Sequence, residues 1–355
     1  MFPIDRFYLQ QALALARRGR LSVSPNPMVG CIIVKNGRVV GEGWHIYAGG
    51  DHAEIMALKQ AQHQAQGANV YVTLEPCCHI GRTGACTDAL IKAKVKKVII
   101  AVKDPNSKVS GKGIAALKNA GIEVITGIET RQATELNKIF FYFHHHKRPY
   151  VIAKWGMALD GYLTVQKDDD KQITGCVAQA EVHDLRNCLD AVMVGARTVI
   201  EDNPMLNVRL RSKTPIRQPL RVIVSSKADL PTNARVFDST IADTLLITSQ
   251  KACHESILKL KAKQVECIYL PTDKSGKISP HAILEVLAEK GITSVLLEGG
   301  QELLRTFFDA VCVNEVHSYI APVLINGFEK KHHLIGTKLA DCGEDVKISA
   351  NIEGY

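Results

Sequence analysis

The sequence predicts an α/β protein of two domains, and three observations carry that prediction. Its 355 residues exceed what one ordinary hydrophobic core organises. Strand-like and helix-like patterns alternate along both halves. The pattern breaks once, at Lys147-Arg148-Pro149, because proline turns the preceding residues away from a continuing helix. A first domain over 1–147 and a second over 148–355 are therefore expected. Apolar residues make up 46% and charged residues 23%, with no low-complexity tract, so both halves read as globular.

The first half opens with the helical pattern "DRFYLQQALALARRG", with Asp5 as N-cap and Gly19 as stop. "GCIIVKNGRVVGEGWH" reads as a hairpin turning at Asn36-Gly37. Helix "HAEIMALKQAQ", strand "NVYVTLEP", helix "TDALIKAK", strand "KVIIAVKD", helix "GIAALKNAG" and strand "IEVITG" follow. A hairpin followed by strand–helix units argues for one mixed sheet flanked by helices. The run His144–His146 sits at the domain change. Three consecutive side chains point in different directions, so it reads as a solvated helix end and not as a metal site.

The second half alternates again: strand "YVIAKWGMAL", helix "AQAEVHDLRNCL", strand "AVMVG", helix "ARTVIED", strand "LRVIVS" and strands "TLLITS" and "ECIYLP". Helix "HAILEVLAEKG", strand "TSVLLEGG", helix "QELLRTFFDA" and strand "EVHSYIAPVL" complete it. This is α/β with a core of its own, and no repeat relates the halves.

Composition narrows the function. The N-terminal stretch mixes Asp and Arg into its apolar pattern, and no run reaches membrane-spanning length, so a cytoplasmic protein without membrane contact is expected. The ten cysteines are scattered and should be reduced; Cys31, Cys176, Cys188 and Cys312 read as small core fillers. A formal charge of +8 suits nucleic acid or small phosphorylated ligands alike. No basic run with interleaved aromatics occurs, which favours the small anion over nucleic acid. A homo-oligomer is expected, of a size the sequence does not set.

Two segments carry chemistry: "HAE" at His52–Glu54 and "EPCCHIGRTGAC" ending at Cys86. Zinc binds neutral imidazole and thiolate, and a catalytic site keeps three protein ligands and one open position. His52 and Glu54 share no face of an ideal helix, yet at a helix start both can face one cavity. Cys77 follows the strand-ending Pro76, and Cys86 directly precedes a helix whose partial positive charge favours a thiolate. His-x-Glu followed by Pro-Cys and a later Cys is the signature of zinc nucleobase deaminases, in which the Glu is a general acid–base and not a ligand. A closed structural zinc knuckle would need a fourth ligand and leaves Glu54 without a role.

The eight-residue gap between Cys77 and Cys86 departs from the short deaminase spacing. With "SPNPMVGC", "HAE" and "EPCCHIGRTGAC", the first half resembles the deaminase half of the RibD family of bifunctional riboflavin-biosynthesis enzymes, where the longer gap is the rule. The resemblance implies a cytidine-deaminase-like α/β/α sandwich, with zinc on His52, Cys77 and Cys86, Cys78 turned away, and Glu54 as the catalytic proton shuttle. It implies Asn26, His45 and Arg82 as substrate residues, with His79 weaker. Asn26 between two prolines suits a heterocycle edge but also fits an ordinary Asn turn. A strand-end polar residue and a solvated loop charge are the plain readings of His45 and Arg82.

In the second half no G-x-G-x-x-G follows a strand, so a Rossmann reading has little support. "SVLLEGGQELLRTFF" offers instead a Gly299-Gly300 turn into a helix, where backbone N–H groups can approach phosphate. "KWGMALDGYL", "VGARTVIEDNPMLNVR" and "LLEGGQELL" resemble, in order, the reductase half of the same family, so the resemblance spans almost the whole chain. It implies a dihydrofolate-reductase-like domain using NADPH. Gly156, Thr198, Asp202, Ser226, Gly299 and Gly300 match cofactor positions, and Lys154, Arg186, Leu206, Arg209 and Glu298 match substrate positions. Arginines suit a sugar phosphate. No unambiguous proton donor stands out, Lys154 and Glu298 being candidates. "DDDKQIT" departs from the family, with Asp170 and Gln172 where Ser and Trp are usual.

The function so implied is deamination of 2,5-diamino-6-(phosphoribosylamino)pyrimidin-4-one with release of ammonia, then reduction of the aminouracil's ribosyl group to ribityl. The competing readings are a nucleoside or tRNA deaminase fused to an unrelated α/β domain, and a non-enzymatic zinc scaffold. Binding of NADPH by the second half separates the first reading from both.

Overall fold

The structure, a computed structural model, describes residues 3–78, 84–162, 173–210, 216–325, 332–342 and 345–352. The chain divides into two compact units, residues 1–150 with 284–293 and residues 151–283 with 294–355.

The first unit runs α1 (Pro3–Ala16), β1 (Gly30–Lys35), β2 (Arg38–Trp44), α2 (Ala53–Ala61), β3 (Asn69–Leu74), α3 (Cys86–Lys92), β4 (Lys97–Val102), α4 (Lys112–Asn119), β5 (Glu123–Thr126), α5 (Thr130–Leu136) and α6 (Lys138–His146). Its sheet has the order β2-β1-β3-β4-β5. β1 is antiparallel to both neighbours, and β3, β4 and β5 are mutually parallel. This is the mixed sheet that the hairpin and the strand–helix units predict. At the hairpin tip Lys35 faces Arg38, and Asn36 and Gly37 take φ of 49° and 76°, the left-handed pair such a two-residue turn requires.

Strand periodicity sorts the core into two layers. Cys31, Ile33, Val70, Val72, Val98 and Ile100 face α2, α3 and α4 through Ala53, Ala57, Leu90 and Leu117. Ile32, Val34, Tyr71, Ile99 and Ala101 face the other way, against Leu9, Ala12 and Leu13 of α1 and Ala133 of α5. The result is helices on both faces of one sheet. Asp5 does not cap α1. It lies inside the first turn, buried, where its Oδ1 accepts the Tyr71 hydroxyl at 2.9 Å. The rings of His144, His145 and His146 rest on Phe140, Phe141 and Tyr142, each four residues earlier, with centroids 4.4, 6.4 and 4.4 Å apart. Lys147, at φ 55°, ends that helix.

The second unit contains β6 (Tyr150–Ala158), α7 (Cys176–Cys188), β7 (Ala191–Gly195), α8 (Ala196–Asp202), β8 (Leu220–Val224), β9 (Thr244–Thr248), α9 (His254–Ala262), β10 (Glu266–Tyr269), α10 (Pro280–Glu289), β11 (Ser294–Leu297), α11 (Gln301–Asp309) and β12 (Glu315–Ala321). From Leu284 onward α10 groups with the first unit. The sheet order is β10-β9-β8-β7-β11-β6-β12, and each pair whose register is described is parallel. Near-continuous apolar runs such as "AVMV" and "TLLIT" fit strands buried on both faces. β13 (Val323–Leu324), β14 (His332–Cys342) and β15 (Asp345–Ile352) form a separate antiparallel sheet. The α5 and α9 helices and the β14–β15 hairpin are additions to what the sequence patterns show.

Candidate active sites

Two close backbone approaches seat α2 on the sheet. A Cβ on Gly43 would lie 2.5 Å from the Ala53 carbonyl oxygen, and one on Gly41 would lie 2.3 Å from that of Ala57. Glycine there, with alanine facing it, brings the start of α2 down onto β2. His52 immediately precedes α2, in extended conformation. Cys77 follows the end of β3, and Cys86 is the first residue of α3, one position deeper than the sequence suggests.

The three converge. His52 Nδ1 is 3.2 Å from Cys86 Sγ and 3.5 Å from Cys77 Sγ, and all three potential ligand atoms lie within 4.8 Å of one another. The α3 start reinforces the cluster: the Cys86 N–H donates to Cys77 Sγ at 3.4 Å, and the Thr87 N–H donates to the Cys77 carbonyl at 3.1 Å. Cys78 is half-buried and outside the group.

Glu54 lies in the first turn of α2 and is only 3% exposed. Its Oε2 is buried without a hydrogen-bond partner among the described residues. Burial, and then the neighbouring Cys77, push its carboxyl up to about 7. A hydrogen bond from Cys86 holds the Cys77 thiol down to about 4, while that shared bond and burial push Cys86 up. A divalent cation would draw both thiols to thiolates, and two thiolates with one imidazole form a three-ligand catalytic zinc set. The donor set therefore fits zinc, and the orphaned Glu54 oxygen fits a group that handles a water proton.

His45 and Asn26 form the wall beside the triad. His45 is 3% exposed, its Nδ1 is 3.0 Å from the Asp51 carbonyl oxygen, and its Nε2 is 3.1 Å from Asn26 Nδ2. A carbonyl oxygen only accepts, so Nδ1 carries the proton and Nε2 accepts from the amide. Burial holds His45 below its ordinary pKa, consistent with this neutral form. The Asn26 amide is thereby oriented. The His45 and His52 rings meet edge-on at 5.3 Å. Arg82 and His79 lie outside the described residues, as do Asp170 and Gln172.

The second unit holds a cavity of about 910 Å³. Gly156, Thr198, Asp202, Ser226, Gly299 and Gly300 line it, together with Lys154, Arg186, Leu206 and Glu298. The Gly300 N–H donates to Thr198 Oγ1 at 3.1 Å, tying the glycine turn to α8. Arg186 grips Glu298 with two bonds, Nε–Oε1 at 2.5 Å and Nη2–Oε2 at 2.8 Å, and Lys154 Nζ is 3.7 Å from Oε2. Burial alone would raise the Glu298 carboxyl, but Arg186 and Lys154 outweigh it and leave the group below its ordinary value. Glu298 is thus ionised.

Arg209 does not line this cavity. It sits beside it: Arg209 Nη1 donates to Asn207 Oδ1 at 2.6 Å, and Arg186 Nη1 donates to the Asn207 carbonyl at 3.2 Å. Lys154 and Arg186 thus share one carboxylate, and the Arg209 guanidinium, tethered to Asn207, adds a further cation at this edge of the cavity that suits an anionic group. The sequence reading misses Asn207 and also His183, whose Nδ1 accepts the Arg209 N–H at 3.3 Å. Its spacing three residues before Arg186 on α7 was the available signal.

Fold and geometry together define a zinc-deaminase unit joined to a second α/β enzyme unit. Two family profiles match accordingly: the cytidine and deoxycytidylate deaminase zinc-binding region over residues 3–102, and the RibD C-terminal domain over residues 149–342. A riboflavin biosynthesis protein RibD of Bacillus amyloliquefaciens is 38% identical over 361 residues, covering 98% of this chain and 96% of the relative. One from Chlamydia muridarum is 41% identical over 345 residues, covering 97% and 92%. Among solved structures, Acinetobacter baumannii RibD matches with TM-score 0.81 and 36% identity over 98% of both chains. A Thermotoga maritima diaminohydroxyphosphoribosylaminopyrimidine deaminase/5-amino-6-(5-phosphoribosylamino)uracil reductase matches with TM-score 0.79 and 34% identity, over 95% of this chain and 96% of that one. The chain belongs to the RibD family, as a bifunctional riboflavin-biosynthesis protein with deaminase and reductase domains.

Proposed function

We propose that the first unit deaminates 2,5-diamino-6-(5-phosphoribosylamino)pyrimidin-4-one. The second unit then reduces the resulting 5-amino-6-(5-phosphoribosylamino)uracil to its ribityl form. These are the activities for which the Thermotoga maritima relative is named. The observation that carries the reading is the unpartnered Glu54 Oε2 beside the His52, Cys77 and Cys86 cluster. Neither the scaffold reading nor a closed zinc knuckle explains it.

His52, Cys77 and Cys86 hold zinc, which supplies the Lewis acidity that makes water nucleophilic near neutral pH. Glu54 takes one water proton as the ring carbon is attacked and passes it to the ring nitrogen, then carries the second proton, from the new hydroxyl group, to the amine that departs as ammonia. Its burial beside the ligand cluster, with Oε2 lacking a partner among the described residues, suits both halves of that cycle. The Asn26 amide, fixed by His45, reads the heterocycle edge. Arg82 serves the same substrate.

In the second unit Gly156, Thr198, Asp202, Ser226, Gly299 and Gly300 hold NADPH, the source of hydride. Lys154, Arg186, Leu206, Arg209 and Glu298 hold the aminouracil ribotide. Their contribution is alignment of the opened sugar carbon and stabilisation of its charge. Glu298, ionised between Arg186 and Lys154, orients those cations and does not begin as a proton donor. Among the described residues no helix is long and apolar enough to cross a membrane. A cytoplasmic homo-oligomer that binds no nucleic acid completes the reading, with the domain change near residues 147–148.

Metal content and ammonia release together test the deaminase assignment. Glu54→Gln should keep one zinc per chain while ammonia release falls by roughly 100-fold or more. Cys86→Ala and Cys77→Ala should lose the zinc, and Cys78→Ala should keep both zinc and turnover. Zinc lost from Cys78→Ala but retained by Cys77→Ala would contradict the ligand set.

A further inference from the structure

Residues 206–209 belong to no helix or strand, so the backbone of this segment must be held by other means. Side chains hold it. Gln218 Oε1 accepts the Val208 N–H at 2.8 Å, and Gln218 Nε2 donates to the Val208 carbonyl at 3.2 Å. Arg186 Nη1 donates to the Asn207 carbonyl, and His183 Nδ1 accepts the Arg209 N–H at 3.3 Å. His183 and Arg186 are one turn apart on α7 and so clamp both ends of the Asn207–Arg209 stretch. Leu206, buried and at φ 52°, turns the chain into this grip.

We propose that His183 is a positioning residue of the reductase step: through Nδ1 it fixes the Arg209 backbone, and so places the Arg209 guanidinium for the sugar phosphate. The inference rests on the reading of the second unit as the reductase. An N–H donates, so Nδ1 must be the unprotonated nitrogen and the proton resides on Nε2. The histidine is accordingly neutral, and burial followed by the charges of Arg186 and Arg209 keeps it so. Nothing in this role needs His183 to touch the reacting carbon. Its loss therefore weakens binding of phosphorylated substrate, not the chemical step.

Asparagine and glutamine discriminate between the two ring nitrogens, because Asn Oδ1 falls near the place of Nδ1 and the Gln amide near that of Nε2. The experiment uses full-length protein, NADPH and the aminouracil ribotide, with ammonia release by the same samples as a check that each variant is folded. For His183→Ala the KM for phosphorylated substrate should rise roughly five- to tenfold, with kcat changed less than about twofold. The KM for dephosphorylated substrate should stay within about twofold. His183→Asn should recover most of the affinity and His183→Gln should not. Rescue by Gln and not Asn, or a fall in kcat at unchanged KM, would overturn the proposal, as would unchanged kinetics in both Ala and Asn variants. If the unaltered protein fails to oxidise NADPH with the ribotide, the reductase reading itself is at fault.

Discussion

Single residues divide into those whose chemistry announces itself and those that act through a partner. The clustering of His52, Cys77 and Cys86, with Glu54 buried in the adjoining first turn of α2, was legible because the metal and proton-transfer chemistry proposed for them restricts each position to few residue types. His183 and Asn207 were not: His183 holds the Arg209 backbone and Asn207 tethers the Arg209 guanidinium, work that many residue types do elsewhere. Arg209 falls between: its sequence motif is specific, yet its guanidinium stands beside the cavity, tethered to Asn207. That placement suits the outer, phosphate end of a substrate. Arg209→Ala should lower reductase kcat/KM on phosphorylated ribotide roughly tenfold, the effect of losing a partly exposed charge-assisted bond. It should also erase most of the preference over the dephosphorylated compound, while ammonia release stays unchanged. An unchanged phosphate preference in folded protein would remove Arg209 from the site.

Elements were legible where local chemistry and burial agree. The Asn36-Gly37 turn, the buried strands and α2 fall where their patterns place them. Asp5 misled because an acid near a helix start suits a cap; here the Tyr71 hydroxyl claims it instead. α9 is short and buries only Ile257 and Leu260, too weak a stripe to stand out, and α5 buries Ala133 alone. The seating of α2 was also hidden, because a glycine in a strand does not say which helix comes close. Gly43→Val tests that seating. A Cβ 2.5 Å from the Ala53 carbonyl and 2.6 Å from Met56 Cβ must push α2 off β2. Destabilisation of the first unit by about 1–3 kcal/mol is expected, with weakened zinc retention because His52 moves with the helix. Denaturant unfolding with metal release measures both, and a variant as stable as the parent would refute the close-packing account.

At the scale of the whole molecule, two units with separate sheets carry separate chemistries, and both classes could be read from ordered motifs. What the motifs leave out is the chain path between 284 and 293, which groups with the first unit although it lies deep in the second half of the sequence. The central claim is that one chain deaminates first and reduces second. The direct measurement supplies Glu54→Gln protein with NADPH and the diaminopyrimidine ribotide, following ammonia and NADPH separately, and then adds the aminouracil ribotide. Neither ammonia release nor NADPH oxidation should exceed about a hundredth of the parent's rate until the aminouracil is added, after which NADPH oxidation should reach the parent's rate. Oxidation of NADPH at full rate with the diaminopyrimidine alone would show that reduction needs no prior deamination, and would contradict the account.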